Sequence, residues 1–560
     1  MMHHISNQQK TIVMAAVMSA LFLVALDQTI IATALGRIVE EFNSFSSLTW
    51  IITAYLLTTT VTIPIAGKMS DIFGRRKVLL SGVVIFVLGS LWSGSAGSID
   101  QLIFARAFQG IGGGIIMANA FTVVGDLFSP RERGKWQGLI GAVFGLSSVV
   151  GPLLGGFLTD PHTIGTLTTN WRWTFWINVP IGIISFFIIA KYMPQIRHDH
   201  KSKIDVLGAS LLTIALSSLI LAVDNTEKIF ASVVDAGVDL RAIQAALYVL
   251  VIVAAVGFIL AERRAKEPII PLQFFKKWNF SLLMAISLLF GAAFLGAILY
   301  LTQFNQQVFG ANATESGLML LPMVFGLTVS AALTGQLVSR TGVYKLPLVI
   351  GFTVATLAVF ALTTLHPESP YMQEAIIMFF AGVGLGIGMP IINLAVQNEF
   401  TQRDLGSATA SAQLFRGLGS TVGTAVLGTM LISGVTSQLG VIKQDPYIEL
   451  LRQQPTAQPM LQEITTDTVL NLNTSDAKNQ INEGVTSGLV SLPEQARQQV
   501  QANFTQKQTT FTDRVVTSFS DSLRYVFITS GILLASATAL VLFVKEKPLR
   551  GGPDDTPGVA

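Results

Sequence analysis

The sequence predicts an all-α polytopic membrane protein with fourteen spans, made of two six-helix halves and two inserted helices. Three observations support this fold class. The chain of 560 residues is 51% hydrophobic and only 12% charged, a balance that soluble domains do not need. Apolar runs of spanning length recur along the chain, and one loop pattern occurs twice. The net charge is only +3, and its bases lie at membrane flanks, so no nucleic-acid partner is expected.

Fourteen apolar runs reach about 20 residues, the length that crosses the hydrocarbon core. No small-residue cleavage site follows the first run, so we interpret it as a retained helix rather than a signal peptide. The count depends on reading the seventh and eighth runs as full spans. Approximate positions are 12–35, 49–67, 78–97, 101–124, 136–158, 172–191, 204–223, 242–261, 280–302, 315–337, 346–364, 373–396, 406–433 and 523–544.

The basic residues predict the orientation. With the amino terminus in the cytoplasm, 23 of the 36 Lys and Arg lie on the cytoplasmic side. Four lie in the short outer connections, namely Arg37, Arg172, Lys228 and Arg241. Because short inner loops carry the excess of basic residues, we expect both termini in the cytoplasm and the protein in the inner (plasma) membrane.

An internal repeat divides the chain. GKMSDIFGRRK at 67–77 and GQLVSRTGVYK at 335–345 share Gly, Gly and Lys at the same spacing, each directly after an apolar run. Parallel halves of this kind place a substrate cavity between them at mid-membrane depth. The predicted parts are an amino-terminal half (1–200), two inserted helices (201–265) and a carboxy-terminal half (266–560) that contains a long outer segment (434–521).

Asp27 is the acid to which we assign the proton. It lies in the middle of the first apolar run, with no other charge between Lys10 and Arg37. An ionised Asp at that depth costs about 2.5–3.5 kcal/mol and usually persists because it has a function. We expect every other acid in a loop, a tail or the last turn of a helix, with Glu315 and Asp224 as candidate second acids at outer helix ends. All six His lie outside the apolar runs, so no imidazole relay is expected.

The first copy of the repeated loop is typical of a tight cytoplasmic hairpin. Gly67 lets the second helix end against a neighbour, and Gly74 permits a turn. The alternative is a basic loop that only follows the positive-inside rule. The positions with a predicted gating role are Gly67, Asp71, Gly74, Arg75, Arg76 and Lys77.

Asp71 leads to a prediction about conformation. Its carboxylate can pair with Arg75 or face the positive end of a helix. We predict that Asp71 faces the start of the thirteenth helix, near Gly406 and Ser407, and locks an outward-open state.

Four motifs together resemble the major facilitator superfamily. The loop at 67–77 closely resembles the family motif between helices two and three. RAFQGIGGG at 106–114 is similar to the second motif, whose Arg, here Arg106, is linked in the family to proton coupling. LDQTIIATAL at 26–35 is similar to the helix-one motif of the fourteen-helix drug/proton antiporter branch. The fifth helix resembles the antiporter motif of exporters at Gly145, Gly151, Pro152, Gly155 and Gly156.

The chain departs from the family pattern in two places. Gly36 follows Ala34-Leu35, where the family commonly has Pro. In the second half, Thr424 occupies the position where Pro152 would recur. Only the first half therefore carries a complete antiporter motif.

Two cations lie inside predicted helices and need partners or water. Arg106 is about one turn from the outer side, so it either acts in the membrane or extends outward to the interface. Arg416 is near the middle of helix thirteen, so we expect it in the central cavity or bonded to Asn393 or Gln397. The predicted polar groups of a mostly apolar cavity are Asp27, Tyr55, Gln109, Asn393, Gln397 and Arg416.

The outer segment is polar and rich in Gln, yet it shows helical patterning. Pro493 is placed to start a helix. Val515, Phe519, Leu523 and Val526 recur at helical spacing into the last span. We expect a folded outer hairpin, and the alternative is a disordered tether.

These features predict proton-coupled export of lipophilic, cationic drugs or dyes by a monomer in the lipid bilayer. The proton gradient supplies the energy, with no cofactor, metal or catalytic residue, and Cys is absent. One alternative keeps the fold but exports a lipid, siderophore or other metabolite. Another is a membrane sensor that transports nothing and uses the outer segment to bind a ligand.

Overall fold

The structure is a computed structural model of the chain. It describes residues 6–42, 48–159, 163–164, 167–194, 205–223, 226–311, 313–442, 444–452, 466–489 and 493–549. The candidate acid Asp224 lies outside the described residues.

The architecture is an all-helical bundle, with helices that follow the predicted apolar runs. Within the described residues, fourteen helices are long and apolar enough to cross a membrane, with the short α6 and α7 together forming the sixth. In chain order the helices are α1 (Asn7–Phe42), α2 (Leu48–Phe73), α3 (Arg75–Gly94), α4 (Ile99–Leu127), α5 (Pro130–Thr159), α6 (Trp173–Trp176), α7 (Asn178–Tyr192), α8 (Val206–Val223), α9 (Thr226–Ile229), α10 (Ala231–Asp235), α11 (Leu240–Arg264), α12 (Trp278–Gln307), α13 (Ala313–Met319), α14 (Leu321–Thr341), α15 (Lys345–Ala361), α16 (Tyr371–Asn398), α17 (Leu405–Ile442), α18 (Pro446–Arg452), α19 (Thr466–Leu472), α20 (Ser475–Gly488) and α21 (Glu494–Leu542).

Short elements complete the connections. The strands β1 (Thr163–Ile164) and β2 (Leu167–Thr168) form one antiparallel pair between α5 and α6. The 3₁₀ turns are Leu272–Lys276, Leu362–Thr364 and Gln402–Asp404.

We call the end of the bundle where α1 begins and α21 ends the inner end, and the opposite end the outer end.

Backbone conformation, rather than hydrophobicity, sets the end of α2. The helix does not end at Gly67 as predicted but continues to Phe73. The turn comes at Gly74, whose φ of 93° lies in the left-handed region that glycine adopts without a Cβ penalty. Asp71 therefore belongs to the last turn of α2 rather than to a loop.

The repeated loop pattern marks a close approach of the two halves at the inner end. A Cβ built on Gly67 would lie 3.0 Å from the carbonyl oxygen of Gly406 in α17. A Cβ built on Gly134 in α5 would lie 2.7 Å from the carbonyl oxygen of Gly335 in α14. The first glycine of each copy thus packs against the opposite half, which only a residue without a side chain permits.

The inserted helices α8 and α11 pack chiefly on each other, and α8 also contacts α2 and α17. The connection after α11 is fixed to the inner end of α2, because Lys68 Nζ donates to Glu267 at 2.7 Å. The buried Glu262 carboxylate accepts the backbone N–H of Ile269 at 2.9 Å.

The described part of the outer segment folds around its own apolar cluster. We call α18, α19, α20 and the first part of α21 the outer unit. Helix α21 is continuous for 49 residues, about 74 Å, so it extends well beyond a hydrocarbon core of about 30 Å. Burial raises the pKa of Tyr447 in this cluster to about 12. The cluster residues are Ile442, Tyr447, Ile448, Leu451, Val469, Leu472, Ile481, Val485, Phe504, Phe511 and Val515.

Asn473 hydrogen-bonds the outer unit to the bundle. Asn473, in the turn after α19, donates from Nδ2 to the Gln307 carbonyl at 2.9 Å and to its Oε1 at 3.0 Å. The contact caps the carboxyl end of α12, whose last carbonyl oxygens have no partner within the helix.

We expect the outer unit to be separable from the membrane fold. Replacing 441–510 by a short flexible linker should leave the detergent-purified protein folded, while export changes in rate or substrate range. Phe511→Ala should instead destabilise the unit alone by about 3–5 kcal/mol, because Phe511 is fully buried. Limited proteolysis tests the arrangement: fast, uniform cleavage of the segment in the intact protein would contradict a folded unit.

Candidate proton and substrate site

Asp27 lies in a closed polar cluster within the amino-terminal half. Its side chain is fully buried. Arg106 Nη1 donates to Asp27 Oδ2 at 2.5 Å, which forms a buried ion pair between α1 and α4. Gln109 Nε2 donates to Oδ1 at 2.9 Å, and Asn178 Nδ2 of α7 donates to the same oxygen at 3.2 Å. Both carboxylate oxygens are therefore satisfied, as burial requires.

The same cluster holds Arg106 inside the bundle. Gln109 Oε1 accepts from Arg106 Nη1 at 2.8 Å, and the guanidinium carbon lies 4.1 Å from the centre of the Tyr55 ring. The Ile51 carbonyl accepts from Nε at 3.4 Å. Arg106 does not extend outward to the interface, because a carboxylate, an amide and an aromatic face are available at its own depth.

A narrow cavity lies between helices of the carboxy-terminal half. Arg416 contributes to its wall, and its guanidinium carbon lies 5.9 Å from the centre of the Phe121 ring across the interface between the halves. The volume open to water is about 10 Å³, whereas drug-sized ligands occupy pockets of roughly 300–1,000 Å³. This cavity is too small to hold such a ligand in this conformation. The lining residues are Ser287, Phe290, Met389, Ile392, Asn393, Ala412, Gln413 and Arg416.

The six predicted cavity groups thus occupy three places. Asp27, Tyr55 and Gln109 belong to the amino-terminal cluster, and Asn393 and Arg416 line the cavity. Arg416 lines this cavity together with Asn393, and whether it faces the predicted central cavity between the halves stays a prediction. The sixth group, Gln397, lies at the inner closure.

Polar contacts across the interface hold the inner end closed. Gln397 Nε2 donates to the Phe121 carbonyl at 2.9 Å. Gln137 Nε2 lies 3.5 Å from Gln397 Oε1, and Gln413 Nε2 donates to the Met117 carbonyl at 3.2 Å. Each of these contacts joins the two halves and must break if the inner end opens.

Asp71 makes the predicted contact with the start of α17. Its Oδ2 accepts from the Ser407 backbone N–H at 3.1 Å and from the Ser407 hydroxyl at 3.1 Å. A carboxylate is favoured there because the first N–H groups of a helix are unpaired and carry positive potential. The contact joins α2 of one half to α17 of the other.

A buried charge network supports Asp71. Arg75 forms ion pairs with Asp71 and with Asp126, whose Oδ2 lies 2.7 Å from Arg75 Nε. Arg133 donates from Nη2 to the Gly125 carbonyl at 2.7 Å. Neither Asp126 nor Arg133 was identified from the sequence. Asp126 could have been found as a partner for a basic residue, because it lies in the last turn of α4 beside a basic loop.

The other loop cations have different positions. Arg76 donates from Nη2 to the carbonyl of Ala190 near the end of α7. Lys77 is exposed. Neither contacts the opposite half through an observed hydrogen bond in the described part of the chain.

The antiporter motif of α5 faces two neighbours. Gly151 lies against Thr29 of α1, and Thr29 Oγ1 donates to the Ser147 carbonyl at 2.9 Å. A Cβ built on Gly317 would lie 3.4 Å from Pro152 Cβ. Thr29 is two residues from Asp27, so α5 connects the acid's helix to the opposite half.

The remaining motif glycines extend this packing. Gly145 lies against Thr328 of α14. Gly155 is buried and Gly156 is partly buried. Helix α5 remains continuous through Pro152.

Asp27 is not the only fully buried acid of the chain. Glu374, in the first turn of α16, has no exposed surface. Its position near a helix end suggested an interfacial acid, but neighbouring helices cover it. Of the candidate second acids, Glu315 is exposed in α13, and Asp224 is outside the described residues.

Comparisons of sequence are consistent with this geometry. A family model described as Major Facilitator Superfamily matches residues 17–424. The chain is 34% identical over 544 residues to Multidrug transporter protein MdtP of Bacillus subtilis, covering 96% of this chain and 94% of the relative. It is 33% identical over 429 residues to Multidrug resistance protein 3 of the same organism, covering 76% and 80%.

Solved structures share the fold at low identity. The human organic anion transporter TETRAN has a TM-score of 0.57 at 14% identity, covering 75% of this chain and 93% of that structure. A bacterial homologue of the lysosomal transporter Spinster has a TM-score of 0.53 at 15% identity, covering 96% and 97%. At this identity the likeness concerns the fold alone.

Proposed function

This chain belongs to the major facilitator superfamily, and from that premise we propose that it exports lipophilic compounds across the inner (plasma) membrane in exchange for protons. The buried Asp27–Arg106 ion pair carries the proposal. It places a carboxylate inside the bundle of a transporter whose relatives are named for multidrug transport. The proton gradient is the energy source, and the protein acts as a monomer without a cofactor.

Protonation of Asp27 is feasible because Arg106 has other partners. When a proton neutralises the carboxylate, the guanidinium keeps Gln109 Oε1 at 2.8 Å and the face of Tyr55. A cation over an aromatic face gains about 2 kcal/mol or more when it is desolvated. The arrangement therefore stabilises Arg106 in both protonation states of Asp27.

The proposed coupling runs through α5. Loss of the ion pair loosens α1 at Asp27, and Thr29 transmits the change to α5 through Ser147. Helix α5 packs along α14 of the opposite half. The two halves then rock apart at one end and together at the other, with Asp71–Ser407 as the contact that opens and closes at the inner end.

The expected preference for cationic substrates remains a prediction. A cation that competes with the proton must reach Asp27, which Arg106 covers in this conformation. The charge in the cavity wall is Arg416. A cationic substrate would therefore have to enter beside Asp27 after Arg106 has moved.

The test is export from proteoliposomes with an imposed pH gradient and a panel of dyes. We expect the gradient to drive export and a protonophore to abolish it.

With Asp27 as the only proton carrier, export of a monovalent cation is electroneutral, and export of a neutral compound also responds to voltage. The membrane potential then contributes about 2.3 kcal/mol to the driving force for each charge moved per 100 mV. Transport that ignores the pH gradient would contradict proton coupling.

Metabolite export is the second candidate. A relative 31% identical over 449 residues is named Acurin A biosynthesis cluster MFS-type transporter, from Aspergillus aculeatus. A deletion strain that becomes hypersusceptible to several unrelated cationic dyes supports drug export. Unchanged dye tolerance with altered extractable lipids or secreted metabolites supports the second candidate.

A further inference from the structure

Glu374 is a fully buried acid that the Asp27 cluster does not use. It lies in the first turn of α16, at the outer end of the carboxy-terminal half. Its described partner is Asn305 of α12, which is also fully buried. In the amide orientation that satisfies both groups, Asn305 Nδ2 lies 2.7 Å and 3.0 Å from the two carboxylate oxygens.

Within the described residues, no Lys, Arg or His forms an ion pair with Glu374, in contrast to Asp27. The titratable group beside it is Tyr371, one turn earlier in α16, whose hydroxyl donates to the Met319 carbonyl at 2.9 Å. From α12 the group that faces Glu374 is the neutral Asn305.

Burial without a cation favours the neutral acid. An ionised carboxylate in a dry site is costly unless it is paired, and such groups neutralise by taking up a proton. Leu301 and Phe304, which precede Asn305 in α12, and Met378, one turn after Glu374 in α16, are buried and apolar. The single amide of Asn305 stabilises an ionised carboxylate less than the guanidinium of Arg106, which pairs with Asp27.

Asn305 can serve both protonation states. Its amide has a donor end and an acceptor end. The NH₂ group donates to an ionised Glu374, and after rotation the carbonyl oxygen accepts from the O–H of a protonated Glu374. The pair can therefore bind and release a proton with a rotation of one side chain.

We propose that Glu374, held by Asn305, is a second proton-binding site that exchanges protons at the outer end. The ligand is a proton, and the site lies in the half opposite to Asp27. If export is proton-coupled as proposed above, each cycle then moves one more proton than Asp27 alone would carry. The site itself does not depend on that coupling.

Infrared difference spectroscopy of the purified protein tests the site directly. Spectra recorded across a pH series should show the carbonyl stretch of a protonated carboxyl group that disappears in Glu374→Gln. Asn305→Leu should keep that signal to higher pH, because the donor to the ionised form is lost. Glu368→Gln, an exposed acid just before α16, is the matched control and should not alter the spectra. Spectra of Glu374→Gln that match the wild type would overturn the proposal.

Transport distinguishes this proposal from the proposed function. In proteoliposomes with voltage and pH clamped separately, export of a monovalent cation should depend on voltage in the wild type and become electroneutral in Glu374→Gln. No proton-driven export in the wild type would refute the proposed function, while the infrared result would still decide on Glu374. If Glu374→Gln fails to fold, Asn305→Leu is used for the test instead. An infrared carboxyl signal whose pH dependence is unchanged in Asn305→Leu would overturn the proposal.

Discussion

Asp27→Asn should abolish proton-driven export. The amide keeps the shape of the side chain but cannot take up a proton, so the change removes the proposed coupling. It also leaves Arg106 without its carboxylate in a fully buried site. Removing one partner of a buried ion pair typically costs about 3–5 kcal/mol. We therefore expect a lower unfolding temperature together with the loss of export against a gradient.

A double variant separates the two effects. Replacing a buried pair by two neutral side chains is often nearly neutral for stability, so Asp27→Asn combined with Arg106→Gln should recover most of the unfolding temperature. Export driven by the pH gradient should remain absent. Proton-driven export that survives in Asp27→Asn would show that another group carries the coupling proton.

Asp71→Asn should shift the protein toward the inward-open state. The carboxylate accepts two hydrogen bonds from Ser407 across the inner closure. A hydrogen bond to a charged group contributes about 1.5–3 kcal/mol, and 1.4 kcal/mol corresponds to about tenfold in an equilibrium. We expect at least about a tenfold change in the ratio of the two states. Ser407→Ala should act in the same direction but more weakly, because the backbone N–H remains.

The chain contains no Cys, so single introduced Cys residues report accessibility directly. Ala410→Cys is suitable for the inner end, because a Cβ on Gly67 would lie 2.5 Å from Ala410 Cβ and the position is buried while the end is closed. In the Asp71→Asn background its labelling rate should rise. Unchanged labelling of Cys probes at both ends would contradict the gating role of Asp71.

Much of the fold follows from the sequence because the bilayer imposes strict local rules. A spanning helix must be long and apolar, so fourteen runs could be recognised without tertiary information. The contact of Asp71 with Ser407 was also predicted, since a carboxylate near the inner end can pair with Arg75 or face the positive amino terminus of a helix, and Asp71 does both. Asp27 stood out because a deep charge is rare in a span.

The remaining features depend on which helices become neighbours, and no local pattern encodes that. The sequence left open whether Arg106 pairs or extends outward. The packing of α1 against α4 decided it, because it placed Asp27 beside Arg106. Glu374 lies in the first turn of α16, and the packing of α12 against α16 buries it beside Asn305. By itself the sequence determined the spans and the candidate proton carrier. The tertiary structure decided which charges are paired and which are buried alone, because burial depends on residues far apart in the chain.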